Sequence, residues 1–139
     1  MERKYKHLCS PITVGRVTFR NRMFSTPMGG TDITKDGCIG PMSTKFYEYR
    51  SKGGAGAVTV SECMVHPETD GSHAYHIDLA VPGNLASHTM TADAIKRHGC
   101  IACHEAFFRA TARIHVRQVQ GYIGVRAAFA RRQLTYYTI

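Results

Sequence analysis

Three observations predict an α/β fold built on a parallel sheet. Apolar, β-rich runs alternate with helical patterns along the first hundred or so of the 139 residues. Glycine and proline punctuate the borders between them. The central run, "AGAVTVSECMV", is apolar at successive positions, as in a strand covered on both faces. Strand–helix–strand order of this kind argues for βαβ units with right-handed crossovers.

Each element has a local reason. "ITVGRVTFRNR" predicts a hairpin, with Ile12–Val14 and Val17–Phe19 joined by a Gly15-Arg16 turn. "MFSTPM" reads as a short buried strand that stops at Pro27, because proline cannot donate within a sheet. "GGTDITKDGCIG" is a Gly- and Asp-rich loop. "PMSTKFYEYRSK", from Pro41 to Lys52, has proline at a first helical position and apolar Met42, Phe46 and Tyr49. Gly53 and Gly54 close that helix. The "AGAVTVSECMV" strand comes next, then a long polar loop, "HPETDGSHAYHIDLAVPGN". "LASHTMTADAIKRHG" is a second helix, with Asn84 as its expected N-cap and Gly99 just past its end. "CIAC" supplies a third short apolar strand. No repeat at solenoid spacing appears.

The chain divides by composition at residue 105. Residues 1–105 carry 12 Lys/Arg against 10 Asp/Glu, a balance of +2. Residues 106–139 carry six arginines, no lysine and no acid, which completes the net +8. Basicity confined to one segment is a weak signature for a nucleic-acid arm, and apolar groups such as "YIGV" interrupt it. The segment is expected to lie outside the ancestral fold, for instance as out-of-frame translation, and its Tyr122, Tyr136 and Tyr137 sit in no motif. No apolar run approaches the roughly 20 residues of a membrane span, and no signal-peptide pattern opens the chain. Five cysteines, an odd number, read as reduced thiols in a cytoplasmic protein.

Two clusters invite metal chemistry. Cys100-x-x-Cys103-His104 has the spacing of c-type haem attachment, which would make the chain an electron-transfer module, and could instead contribute to a metal-binding site for zinc. Yet cysteines three apart on a strand point to opposite faces, so two small residues packed in the sheet is the plainer reading. His66, His73 and His76, with Glu68, Asp70 and Asp78, could ligate a divalent ion. They sit in a loop, where polar residues collect without such a role. Arg20 and Arg22 are expected on the hairpin surface or paired with a carboxylate.

With the elements in order, three stretches carry a resemblance. "LCSPITVGRVTFRNRMFSTPMGG", "YEYRSKGGAGAVTVSECMVHPETDG" and "IDLAVPGNLASHTMTADAIKRHGCIA" together resemble the start of the Old Yellow Enzyme family of flavin oxidoreductases. They are most similar to its bacterial group of 2-enoate reductases, 2,4-dienoyl-CoA reductases and bile-acid-modifying NADH:flavin oxidoreductases. The resemblance covers roughly residues 5–103. Its most specific marks are "SPI-x-VG-x-V-x-x-x-NR" and the "GGAG" ahead of the apolar strand.

That resemblance implies the N-terminal portion of a (β/α)8 TIM barrel, a fold of typically about 250 residues with its active site at the C-terminal strand ends. It implies a partial barrel domain over 1–105, followed by an atypical tail over 106–139. It implies FMN as cofactor, NADH or NADPH as reductant, and hydride transfer to an activated C=C bond of an unsaturated carbonyl or enoyl substrate. Thr26, Pro27, Met28 and Gly29 fall where the family lays backbone against the flavin, and Cys63 where a small residue faces it; the alternative for Cys63 is a buried small hydrophobe. His104 falls near a Gln or Glu that reaches the flavin pyrimidine, and Arg22 where the family has a structural anchor. Residues for the substrate carbonyl, the proton-donating tyrosine and the flavin phosphate have no match in 106–139, and any iron–sulfur cluster would lie beyond this chain. The expected product is a truncated, inactive fragment that aggregates or oligomerises through open sheet edges.

Overall fold

Gly15, with φ at 60°, takes the left-handed conformation that a two-residue hairpin turn demands at its first position. It joins β1 (Ile12–Val14) to β2 (Val17–Phe19), paired antiparallel with Ile12 opposite Phe19. The structure is a computed structural model, and it describes residues 4–65, 76–108 and 134–138. After the hairpin come β3 (Phe24–Met28), α1 (Pro41–Lys52), β4 (Ala57–Met64), β5 (Ile77–Asp78), α2 (Asn84–Lys96), β6 (Ile101–Phe108) and β7 (Leu134–Thr138).

The sheet runs β3-β4-β6-β7. β3, β4 and β6 are parallel, as predicted, while β7 joins β6 antiparallel. β5 pairs in parallel with the end of β4, along the edge that β3 vacates. β6 is twice the expected length and passes residue 105. Both helices cover one face of the sheet, where Val58, Val60 and Cys63 pack with Tyr47, Ile77, Ile95 and Cys100. On the other face Phe19 packs with Ala57 and Cys103, with Ile12, Val17 and Ile101 around them. The hairpin thus closes the face at the strands' N-terminal ends. Adjacent residues alternate between the two clusters, as the pleat requires.

Two expectations about burial change. β3 is an edge strand, half exposed, with Phe24 and Met28 open to solvent, because only β4 pairs with it. It continues through Pro27 to Met28 with an irregular register between Ser25 and Met28, which an edge strand tolerates. In α1, Met42 and Tyr49 face solvent, and Ser43, Tyr47 and Ser51 make the buried stripe, four residues apart. Each of these three buries a hydroxyl that is satisfied. Ser43 bonds Asp32, Tyr47 donates to the Met28 carbonyl at 2.7 Å, and Ser51 donates to the Ile95 carbonyl at 2.6 Å. Specific hydrogen bonds seat this helix where an apolar stripe was expected.

Arg20 lies exposed beside the hairpin, as expected, and its side chain has a further task. Its guanidinium donates to the carbonyls of Ser51, Ala55 and His98. These carbonyls lie at the end of α1, ahead of β4 and beyond α2. Neighbouring Asn21 donates to the Gly54 carbonyl at 2.8 Å and accepts from Met23 N–H. Arg22 reaches the Ser10 hydroxyl at 3.3 Å. Charge-assisted bonds to backbone count for more than a surface contact, even where solvent reaches them. Arg20→Gln is therefore expected to lower stability by about 2 kcal/mol and Arg22→Gln by about 0.5 kcal/mol or less, read from urea midpoints at constant slope.

Candidate functional site

In parallel α/β sheets chemistry collects at the C-terminal strand ends, which here means Met28, Met64 and the end of β6, with the loops that follow. The loop from Gly29 to Gly40 is fixed by Asp32. Its two carboxylate oxygens accept the backbone N–H groups of Met42 and Ser43, at 2.8 and 2.7 Å, in the first turn of α1. A side chain at Gly40 would overlap the Asp32 carbonyl and carboxylate, so glycine is required there. Burial works against the Asp32 charge, but the Ser43 hydroxyl and the two backbone donors outweigh it and hold the carboxyl below its ordinary range.

The second loop is tied to the first. Asn84 donates its amide to the carbonyls of Gly37, at 2.7 Å, and Asp78. Asp78 N–H also donates to Gly37, and Ile39 N–H donates to the Ser87 hydroxyl at 3.2 Å. Asn84 was expected as the N-cap of α2; Gly83 takes that position, and Asn84 sits one residue inside. Two loop carbonyls converging at a buried spot need donors, and that demand outweighs capping.

The residues expected against a flavin divide in two. Thr26 and Met28 are exposed, Pro27 is half-buried, and Gly29 is exposed with open space where a Cβ would stand. Behind them the Tyr47 hydroxyl holds the Met28 carbonyl, and Arg50 reaches the Met28 sulfur at 3.3 Å. This is a bare stretch of backbone, fixed from the rear and open in front. Cys63 sits elsewhere. It is fully buried on the helix side, 3.6 Å from His104 Nδ1, and burial, with Glu105 adding, pushes its thiol up to about 12. Strict alternation would put Cys63 on the same face as Ala57 and Thr59. β4 instead spends three residues from Val60 to Cys63 against two in β6, and the extra one returns Cys63 to the helices.

His104 also turns to the helix layer, its ring 4.9 Å from that of His88, away from the face that Cys103 occupies. The Cys-x-x-Cys-His triplet is therefore split. Cys100 packs in the helix-side cluster and Cys103 in the opposite one, and burial raises both thiols. Two thiols on opposite faces of a sheet cannot bond one haem edge. Among the described residues no three His, Cys, Asp or Glu side chains gather to hold a metal ion. His66, His73, Glu68 and Asp70 lie outside the described residues; the Asp78 carboxylate accepts Ala80 N–H at 2.8 Å. Asp32, Ser43 and Tyr47, which shape the site, carry no sequence signal, since their partners lie ten or more residues away.

A parallel βαβαβ sheet with both helices on one face, a hairpin across the strands' N-terminal ends and a braced loop rim at the other end defines an arc of a (β/α)8 barrel. Solved structures agree on the fold. The old yellow enzyme from Trypanosoma cruzi is 21% identical with a TM-score of 0.64, over 76% of this chain and 28% of that one. The family model for the NADH:flavin oxidoreductase / NADH oxidase family matches residues 7–116, and the chain belongs to that family. The chain is similar to dimethylamine dehydrogenase from Hyphomicrobium sp., 26% identical over 106 residues. It is also similar to cinnamate reductase from Clostridium sporogenes, 36% identical over 66 residues. These matches cover 76% and 47% of this chain, which spans 14% and 10% of those relatives' lengths.

The Asp32 carboxyl makes the rim acid-sensitive. A depressed folded pKa contributes stability that is complete above the ordinary value of 3.8 and is lost as pH falls through the lower folded value. Asp32→Asn is expected to flatten the stability–pH curve below about pH 4, measured by chemical unfolding in steps of pH.

Proposed function

We propose that this chain forms the opening arc of an FMN-dependent oxidoreductase that reduces the activated C=C bond of an unsaturated carbonyl or enoyl substrate, with NADH or NADPH as reductant. One observation carries the reading: the exposed Thr26–Gly29 backbone at the end of β3, braced from behind by Tyr47 and bare in front. A flat aromatic ring needs such a surface, and the open space over Gly29 admits close approach. When bound, the flavin would supply the hydride chemistry, and the protein supplies orientation and exclusion of water. Thr26 would present its exposed hydroxyl to the ring's polar edge. Met28 would fix the backbone height through its Tyr47-bound carbonyl. Pro27 would set the direction of the chain, and Cys63 would back the neighbouring strand from the helix side. Family membership and the likeness to a cinnamate reductase support the substrate class.

On this reading the chain contributes one wall of the pocket, and residues beyond it would hold the flavin phosphate, so the chain alone is inactive. The domain division at 105/106 is part of the same proposal. The five cysteines, none of them in a disulfide, support a cytoplasmic setting, and no helix among the described residues is long and apolar enough to cross a membrane. Exposed Phe24 and Met28 on an edge strand favour self-association. The test is gel filtration of the chain with excess FMN. The expected result is oligomers that retain no stoichiometric flavin, with weak quenching of flavin fluorescence that Gly29→Val reduces roughly tenfold in affinity. A stoichiometric yellow monomer would overturn the single-wall reading, and quenching insensitive to Gly29→Val would overturn the assigned surface.

A further inference from the structure

Three titratable side chains meet behind the sheet, away from the surface assigned to the flavin. Cys63 of β4 and His104 of β6 touch at 3.6 Å, and the His104 ring lies 4.9 Å from the ring of His88 on α2. His88 is 7% exposed, and neither of its ring nitrogens has a hydrogen-bond partner. Buried polar atoms without partners are uncommon and call for a reason. In this seat a neutral imidazole is tolerated, whereas an imidazolium would bring a charge and two N–H donors to a place with no acceptor.

We propose that the His88–His104 contact is an acid-sensitive latch: as neutral rings the pair docks α2 onto β6, and protonation releases α2 together with the loop carbonyls that Asn84 holds. This goes beyond the flavin reading and does not depend on it.

Among the described residues the groups around the pair give His88 no counter-charge by hydrogen bond. β4 presents Cys63, held as a neutral thiol by burial. β6 presents His104 and, next along the strand, Glu105, whose charge acts on Cys63. From α1, Thr44 meets Thr91 of α2 hydroxyl to hydroxyl at 2.9 Å, and Ser51 donates to the Ile95 carbonyl at 2.6 Å. The α1 carboxylate Glu48 is taken by Arg97 and His98, about 13 Å further along the axis of α2 at 1.5 Å per residue. The loop and β5 ahead of α2 bring His76, which is buried, and Asp78, bonded to Ala80 N–H. Burial lowers the basicity of both rings of the pair, that of His88 to about 4 with His104 adding. An exposed histidine takes its proton near 6.5, so docking of α2 is complete above that value and weakens as pH falls towards 4.

Amide hydrogen exchange on the full chain at about pH 7.5 and about pH 5, corrected for intrinsic exchange rates, tests this. Protection across residues 84–96 is expected to fall by about tenfold or more relative to residues 41–52. In His88→Phe, which keeps an aromatic ring without the titration, the fall should shrink severalfold. If that variant does not fold, the contrast between the two helices in the unaltered chain decides alone. Equal change in both helices, or a fall that survives His88→Phe undiminished, would overturn the latch.

Discussion

The guanidinium of Arg20 collects backbone carbonyls from the end of α1, the approach to β4 and the turn after α2. A helix leaves its last carbonyls without intrahelical partners, and aligned peptide dipoles concentrate negative charge there. Bringing two such ends together beside a sheet would be costly without a cation shaped to serve several acceptors. Arginine's planar fork does this from one position; lysine, a point charge, would not. The hairpin places that fork, since Phe19 anchors the end of β2 beneath Ala57 and Cys103. Fixed strand starts follow, and with them the register that sets where the opposite ends emerge.

At those opposite ends the same logic runs with reversed sign. Asp32 offers a carboxylate to the first turn of α1, where N–H groups are unsatisfied and the dipole favours a negative charge. Asn84 and Ser87 carry the tie across to the second loop. The cation thus braces the stable side of the sheet, and the anion the side where barrels of this class place their chemistry. Between the two ends α1 turns serine, tyrosine and serine inward, each satisfied.

Much of this was legible in the sequence because it is local. The hairpin, both limits of α1 and the two-sided strand β4 follow from spacing, proline and glycine. What could not be read is long-range. Tyr47 finds its acceptor 19 residues back and Ser51 finds its own 44 residues ahead, so neither looks like a core residue in a hydrophobic pattern. Arg20 is at the surface, as read, but its partners are backbone carbonyls, which a sequence does not display. At the site, resemblance singles out Thr26–Gly29, which run to the strand end with Pro27 half-buried and the other three exposed. Cys63 is buried, as a small packed residue would be, and it lies on the helix side because of an added residue in β4 that strict alternation does not show; His104 turns to the same side.

That added residue in β4 has a counterpart in β3, where three residues from Ser25 to Met28 run against two in β4. Each strand therefore changes parity once before its tip. An alignment that slides by a single place in either stretch exchanges lining for packing in everything downstream, while its identity score hardly changes. Transplanting residues onto this rim from a related barrel must count from the tips backward, because counting forward from Phe24 or Ala57 delivers each chosen side chain to the reverse of the sheet.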